Sequence, residues 1–186
     1  MLKIIILIFF FIFNFSEISY GSIKDKIIKN LNKIENFNFN FKQTISEKTE
    51  KGNCTIQYPK KIYCIYKKNK KIMVSNGKSL VIKSDKINNY LRYSLKKTPL
   101  NLILDKKFII SKIYELKEDL DYPFYYVFDI NVENISTKIF FDKKNLDLIG
   151  WETKDIYQNK VQTFISDIKK NIPVDKKIFI IQNYIN

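Results

Sequence analysis

The sequence predicts a mainly β fold, a strongly curved antiparallel sheet with helices packed against it. Three observations predict it. Short apolar runs alternating with polar residues recur from Phe37 to Ile181, with turn residues between them. Asn76-Gly77, set between Ile72-Met73-Val74 and Leu80-Val81-Ile82, is a strong two-residue hairpin signal. Helical signals stand out in only two places, after Ser22 and at Thr98-Pro99.

At the N-terminus, Met1-Leu2-Lys3 is a short basic start, 4–15 is apolar except for Asn14, and Ser19-Tyr20-Gly21 ends in small residues. That order predicts a secretory signal over residues 1–21, cleaved to leave an exported, soluble chain. A helix over the apolar run spans roughly 18 Å at about 1.5 Å per residue, short of a bilayer's hydrocarbon core of about 30 Å. The alternative is an uncleaved anchor, which Glu17 and Ile18 would extend only awkwardly.

Ser22 can cap a helix reaching about Asn36, with Ile23, Ile27, Leu31 and Ile34 on one stripe. The period then becomes two: Phe37, Phe39, Phe41 and Ile45 share a parity that only Gln43 interrupts. Thr49-Glu50-Lys51-Gly52 is expected to turn into a strand with Cys54, Ile56 and Tyr58 on one face. Pro59-Lys60 reverses the chain, and Ile62, Cys64 and Tyr66 share a face on the return. The Asn76-Gly77 hairpin and a strand at 88–93 follow. Thr98-Pro99 then places a cap and a first-turn proline before Leu100-Asn101-Leu102-Ile103-Leu104, a short, largely apolar helix. Further strands are expected at 108–116, 123–131, 135–141, 146–154, 160–168 and 178–181, with turns at 142–145 and 156–159. No repeat or linker interrupts the pattern, so residues 22–186 are expected to form one domain.

Composition narrows the chemistry. The chain holds no histidine, which removes Ser-His-Asp and Cys-His nucleophiles and His-ligated metals. Its two cysteines cannot close a four-cysteine zinc site. Four glycines, at 21, 52, 77 and 150, form no phosphate loop. Glu118, Asp119 and Asp121 cluster where a solvated loop is expected. No catalytic residue, cofactor or metal is therefore expected. The net charge of +14 comes from lysine, with Arg92 the only arginine. Arginine forks suited to phosphate are nearly absent, so a solvated basic surface is expected and nucleic acid is not.

Aromatic residues make up 15% of the chain. A curved sheet can fill its concave side with them or leave a cavity for an apolar guest, and the residues alone leave both open. Cys54 and Cys64 lie symmetrically about the reversal at Pro59. Facing positions on paired strands approach the spacing of a disulfide, which an oxidising compartment would permit. Two reduced buried thiols are the alternative.

Several segments, taken in order, resemble the outer-membrane lipoprotein carrier protein family, LolA. They are Phe39-Asn40-Phe41-Lys42-Gln43, Gly52 through Pro59, Ile62-Tyr63-Cys64-Ile65-Tyr66 and Met73-Val74-Ser75-Asn76-Gly77-Lys78-Ser79-Leu80. Leu95 to Leu104 looks like the family's mid-chain helix. Ile149-Gly150-Trp151, Gln162-Thr163-Phe164 and 171–179 add the C-terminal third. The resemblance implies an incomplete antiparallel β-barrel of about eleven strands, with a helical lid over a hydrophobic cavity. It implies a monomeric periplasmic carrier that takes lipoprotein acyl chains from an inner-membrane ABC-type release complex to an outer-membrane acceptor. Another periplasmic lipid or glycolipid carrier of the same fold, or a non-catalytic structural β-domain, is the alternative.

On that reading Phe39, Phe41, Ile56, Ile62, Met73 and Leu80 are expected to line the sheet side of the cavity. Leu100, Leu102, Ile103 and Leu104 would form the lid's apolar face, with Ile27 and Leu31 beside them. The family usually carries an arginine latch before the proline of the second strand; here that position is Tyr58, which can donate one hydrogen bond but no guanidinium fork. A lipoprotein acceptor would need a cysteine directly after the signal, and the first cysteine is Cys54.

Overall fold

The structure, a computed structural model, describes residues 22–68, 70–86, 89–132, 135–155 and 158–185. The signal expected at 1–21, the start of the strand expected at 88 and part of the turn expected at 156–159 lie outside the described residues.

Ten antiparallel strands form one sheet. They are β1 (Asn36–Ile45), β2 (Lys48–Gln57), β3 (Lys61–Tyr66), β4 (Ile72–Asn76), β5 (Ser79–Lys83), β6 (Tyr90–Ser94), β7 (Tyr125–Val132), β8 (Ile135–Asp142), β9 (Leu148–Lys154) and β10 (Lys160–Lys170). Their spatial order is β6-β5-β4-β3-β2-β1-β10-β9-β8-β7. The edge strands β6 and β7 do not pair with each other, so the sheet stays open, with ten strands among the described residues where the resemblance implies about eleven. β1 is held on both sides, along its whole length by β2 and over most of it by β10, and its Phe37, Phe39 and Phe41 are buried on one face.

Among the described residues three α-helices accompany the sheet: α1 (Ile23–Asn32), α2 (Leu100–Ile103) and α3 (Lys106–Glu115). Ser22 and Asp25 cap α1 reciprocally: the Ser22 hydroxyl accepts from Asp25 N–H at 3.2 Å, and the Asp25 carboxylate accepts from Ser22 N–H at 2.9 Å. The helix ends at Asn32, short of the expected Asn36. Asn171 ends it from outside by accepting from Glu35 N–H and donating to the Lys33 carbonyl, both at 2.8 Å, so residue 36 already belongs to β1.

Residues 108–116, expected as a strand, are helical in α3 up to Glu115, with Leu116 its extended C-cap. Phe108, Ile110 and Tyr114 share strand parity, but the buried residues are Ile109 and Ile113, four apart. Asp105 fixes the outcome by accepting from Phe108 N–H at 3.1 Å as an N-cap. Residues 178–181, also expected as a strand, belong to two 3-10 turns, Lys176–Phe179 and Ile181–Tyr184. Phe179 and Ile181 are buried and Ile180 is exposed, so the alternation is real, but no strand edge is free beside them. The first hairpin turns at Ser46-Glu47, with Ser46 in the left-handed region at φ 53°, so 49–52 already lie within β2.

The main core fills the concave side, where α1 and α3 pack over Phe39, Ile56, Ile62 and Phe128. A smaller core lies on the convex side, where Ile181 packs on Val74 and Val81 with Tyr63, Tyr90 and Tyr184 around it. Strands β4 and β5 are thus apolar on both faces, which explains the unbroken Leu80-Val81-Ile82 run.

Candidate functional site: an apolar cavity in the open barrel

The concave wall rests on close backbone approach at Gly52. A Cβ there would lie 2.2 Å from the Ile65 carbonyl oxygen and 2.6 Å from the Phe41 ring, so only glycine lets Phe41 lie flat across its β2 partner. Phe41 then meets Tyr66 edge-on at 4.8 Å, and Phe39 meets Trp151 edge-on at 6.4 Å. Between these rings and the start of α2 lies a cavity of about 280 Å³, lined mainly by carbon. It is just under the roughly 300–1,000 Å³ usual for small-ligand pockets.

Of the residues expected on the sheet wall, Phe39, Phe41, Ile62, Met73 and Leu80 line this cavity. Ile56 does not: it is fully buried in the core nearer the helices. Of those expected on the lid, only Leu100 reaches the cavity, beside Thr98 and Pro99. Leu102, Ile103, Leu104, Ile27 and Leu31 are buried in the main core or beneath the helices. A four-residue helix turns one side chain toward the cavity and the others toward the sheet and its neighbours. The sequence reading missed Ile45, Ile82, Trp151 and Val161 on the wall. The first two carry the parity of their strands, Phe39-Phe41 and Leu80. Trp151 and Val161 depend on β10 pairing with β1, which no local pattern specifies.

Cys54 and Cys64 also line the cavity and are joined by a disulfide. They face each other in the β2–β3 register, next to the Ile56–Ile62 pair. The wall carries a polar pair, Gln43 donating to the Thr163 hydroxyl at 3.1 Å, at the position where β1 departs from apolar parity.

The helices are fastened to the sheet at the β2–β3 turn, by Lys60 and not by Tyr58. Lys60 N–H donates to the Leu104 carbonyl at 2.9 Å, and its ammonium lies 3.2 Å from the Asp105 carboxylate. Lys106 ties the start of α3 to the end of α1 by donating to the Ile34 carbonyl at 2.7 Å. The Tyr58 ring is partly exposed and packs on Phe37. Its hydroxyl oxygen is buried with no hydrogen-bond partner among the described residues. Burial, helped by the nearby Asp105 charge, pushes the phenol well above its ordinary range. Lys106 also sits over the Tyr58 ring at 5.6 Å.

At the opposite end of the cavity Lys71 is ion-paired to Glu50 and lies 3.8 Å above the Tyr66 ring. Burial, and secondarily Glu50, pushes the Tyr66 phenol well above its ordinary range as well.

An open sheet with an apolar cavity at the start of a short helix is a build with room for an apolar guest. The family model for the outer membrane lipoprotein carrier protein LolA matches residues 32–182, and the chain belongs to that family. Among solved structures it is similar to a LolA superfamily protein from Nitrosomonas europaea, at 10% identity over 86% of this chain and 98% of that one, with a TM-score of 0.44. It is similar to a DUF1329 family protein from Desulfovibrio piger, at 8% identity over 87% and 97% of the two chains, with a TM-score of 0.48. It is also similar to a chain of the Pseudomonas aeruginosa MucA/MucB complex, at 8% identity over 85% and 60%, with a TM-score of 0.38. No curated protein sequence matches the chain.

Proposed function

We propose that the chain is a periplasmic carrier that shields the acyl chains of lipoproteins and moves them from the inner to the outer membrane. Residues 1–21 act as its cleaved signal and residues 22–186 as one carrier domain. Phe39, Phe41, Ile62, Met73 and Leu80 hold the chains, and Leu100 is the part of the lid that meets them. The carrier works as a monomer between an inner-membrane ABC-type release complex and an outer-membrane acceptor.

The observation that carries this reading is the apolar cavity itself. Phe39, Phe41, Met73, Leu80, Leu100 and Trp151 line an open space of about 280 Å³ whose lining also includes Lys71, Lys154 and Asp155. The space opens to solvent, so an apolar chain laid in it takes both its own surface and the carbon of the wall out of water. Each methylene buried there contributes about 0.8 kcal/mol. A carrier must also release its cargo, and displacement of helices that already pack on the sheet offsets part of that gain.

The test is lipoprotein release. Purified protein beginning at Ser22, added to spheroplasts, is expected to bring lipoproteins into the supernatant as a complex with itself. Phe41→Glu places a carboxylate in the wall and is expected to abolish release. A supernatant free of lipoprotein, together with no bound lipid in native mass spectra of the purified protein, would remove the reading.

A further inference from the structure

The strand registers bring the β1–β2, β3–β4 and β5–β6 turns to one end of the sheet, away from the end where Lys60 meets Asp105. An open basin of about 930 Å³ lies there, lined by Lys48, Lys68 and Lys86 together with Glu47 and Glu50. Ile45 lines both this basin and the apolar cavity, so the two spaces adjoin at its side chain.

The charges of the basin do not balance. Glu50 is neutralised by Lys71, which is itself held over the Tyr66 ring. The ammonium groups of Lys48, Lys68 and Lys86 form no ion pair or hydrogen bond among the described residues, leaving three cations against Glu47. They stand on the basin that meets the apolar cavity at Ile45. Lysines so placed attract anionic lipid heads, and an apolar cavity ending in a cationic basin matches one class of molecule.

We propose that this basin binds the anionic head group of an amphiphile whose acyl chain lies in the apolar cavity. The inference rests on the acyl-chain reading above and adds a charge selectivity to it. A neutral or zwitterionic head loses the attraction, and a head group without a chain loses the apolar burial.

The probes are lysophosphatidylglycerol, net anionic, and lysophosphatidylcholine, zwitterionic, with the same acyl chain and below micelle-forming concentrations. The protein is the chain from Ser22. The anionic lipid is expected to bind about tenfold more tightly at low salt, with the preference shrinking as ionic strength rises. The triple variant Lys48→Gln, Lys68→Gln, Lys86→Gln is expected to bring the two affinities within about twofold, chiefly by weakening lysophosphatidylglycerol. A remote triple, Lys169→Gln, Lys176→Gln, Lys177→Gln, lowers net charge equally and is expected to keep the preference. Equal wild-type affinities for the two lipids would overturn the inference and leave the acyl-chain reading standing, whereas binding of neither would overturn both. An equal loss of preference in the remote triple would assign it to overall charge and overturn the basin. Competition by glycerol phosphate at matched concentration would make the basin a site for a free phosphate ester and overturn the amphiphile.

Discussion

Asp105 is the residue whose removal should most directly report on whether the helices move to admit a guest. It caps α3 through Phe108 N–H and pairs with Lys60 on the β2–β3 turn. Loss of an N-cap costs about 1 kcal/mol. The Lys60–Asp105 pair, with side chains 30% and 29% exposed, contributes about 0.5 kcal/mol after solvent screening. Asp105→Ala therefore weakens the closed arrangement by about 1.5 kcal/mol in all. Asp105→Asn retains a capping oxygen and should lose only the ion pair, as should Lys60→Met, which also keeps the Lys60 backbone bond to Leu104.

If the α2–α3 segment must leave the sheet when an acyl chain enters, destabilising its closed state raises apparent affinity by the same free energy. Asp105→Ala should then bind a fluorescent fatty acid about tenfold more tightly, at about 1.4 kcal/mol per decade. Asp105→Asn and Lys60→Met should each gain about twofold. Hydrogen exchange at the amides of residues 104–109, read in parallel, shows whether the segment has loosened. Faster exchange in Asp105→Ala with affinity unchanged would refute the reasoning, because the helices would then be loose without gating the cavity.

Three further outcomes follow from named groups. Reducing Cys54–Cys64, which closes a loop of sequence separation 10, should lower the stability from urea unfolding by about 2.5 kcal/mol. Met73→Trp should narrow the cavity and displace about two methylenes of guest, a loss of about 1.6 kcal/mol in fatty-acid affinity, with the thermal midpoint nearly unchanged. Tyr58 and Tyr66 both have folded-state phenols raised mainly by burial, so the folded protein keeps protons that the unfolded chain releases near its ordinary value of about 10. Their contribution is complete below about pH 10 and is lost as pH rises above it, by up to about 1.4 kcal/mol per pH unit for each tyrosine. Urea unfolding at stepped alkaline pH checks this, and Tyr66→Phe should flatten the slope.

Strands with one buried face were legible because their side-chain period is two, and Phe37, Phe39 and Phe41 show it plainly. The Cys54–Cys64 juxtaposition was legible for the same reason: a turn at Pro59 fixes which residues face each other. Residues 108–116 were misleading because Phe108, Ile110 and Tyr114 mimic strand alternation, while the helix is decided by a cap at Asp105 and by burial of Ile109 and Ile113. Lys60 could not be picked out from sequence, since its partners Leu104 and Asp105 become neighbours only when α2 folds back over the β2–β3 turn. Trp151 likewise required β10 to pair with β1 and β9 with β10. Leu102, Ile103 and Leu104 had the right character for a lid, but tertiary packing turned them into the core and left Leu100 at the cavity.

The unpaired edges of β6 and β7 bear on how large a guest the protein can hold. In a closed barrel, strand number and stagger set the diameter, and widening it breaks ladder hydrogen bonds. Among the described residues no ladder pairs the two edges, so the wall is built as a spring and not as a hoop. Its curvature is held by side chains packed beneath α1 and α3, contacts that a guest of similar chemistry can replace. The space between the rings of Phe39, Phe41 and Trp151 is bounded on the helical side by Thr98, Pro99 and Leu100, so a larger guest would displace that short segment without undoing a single strand pair.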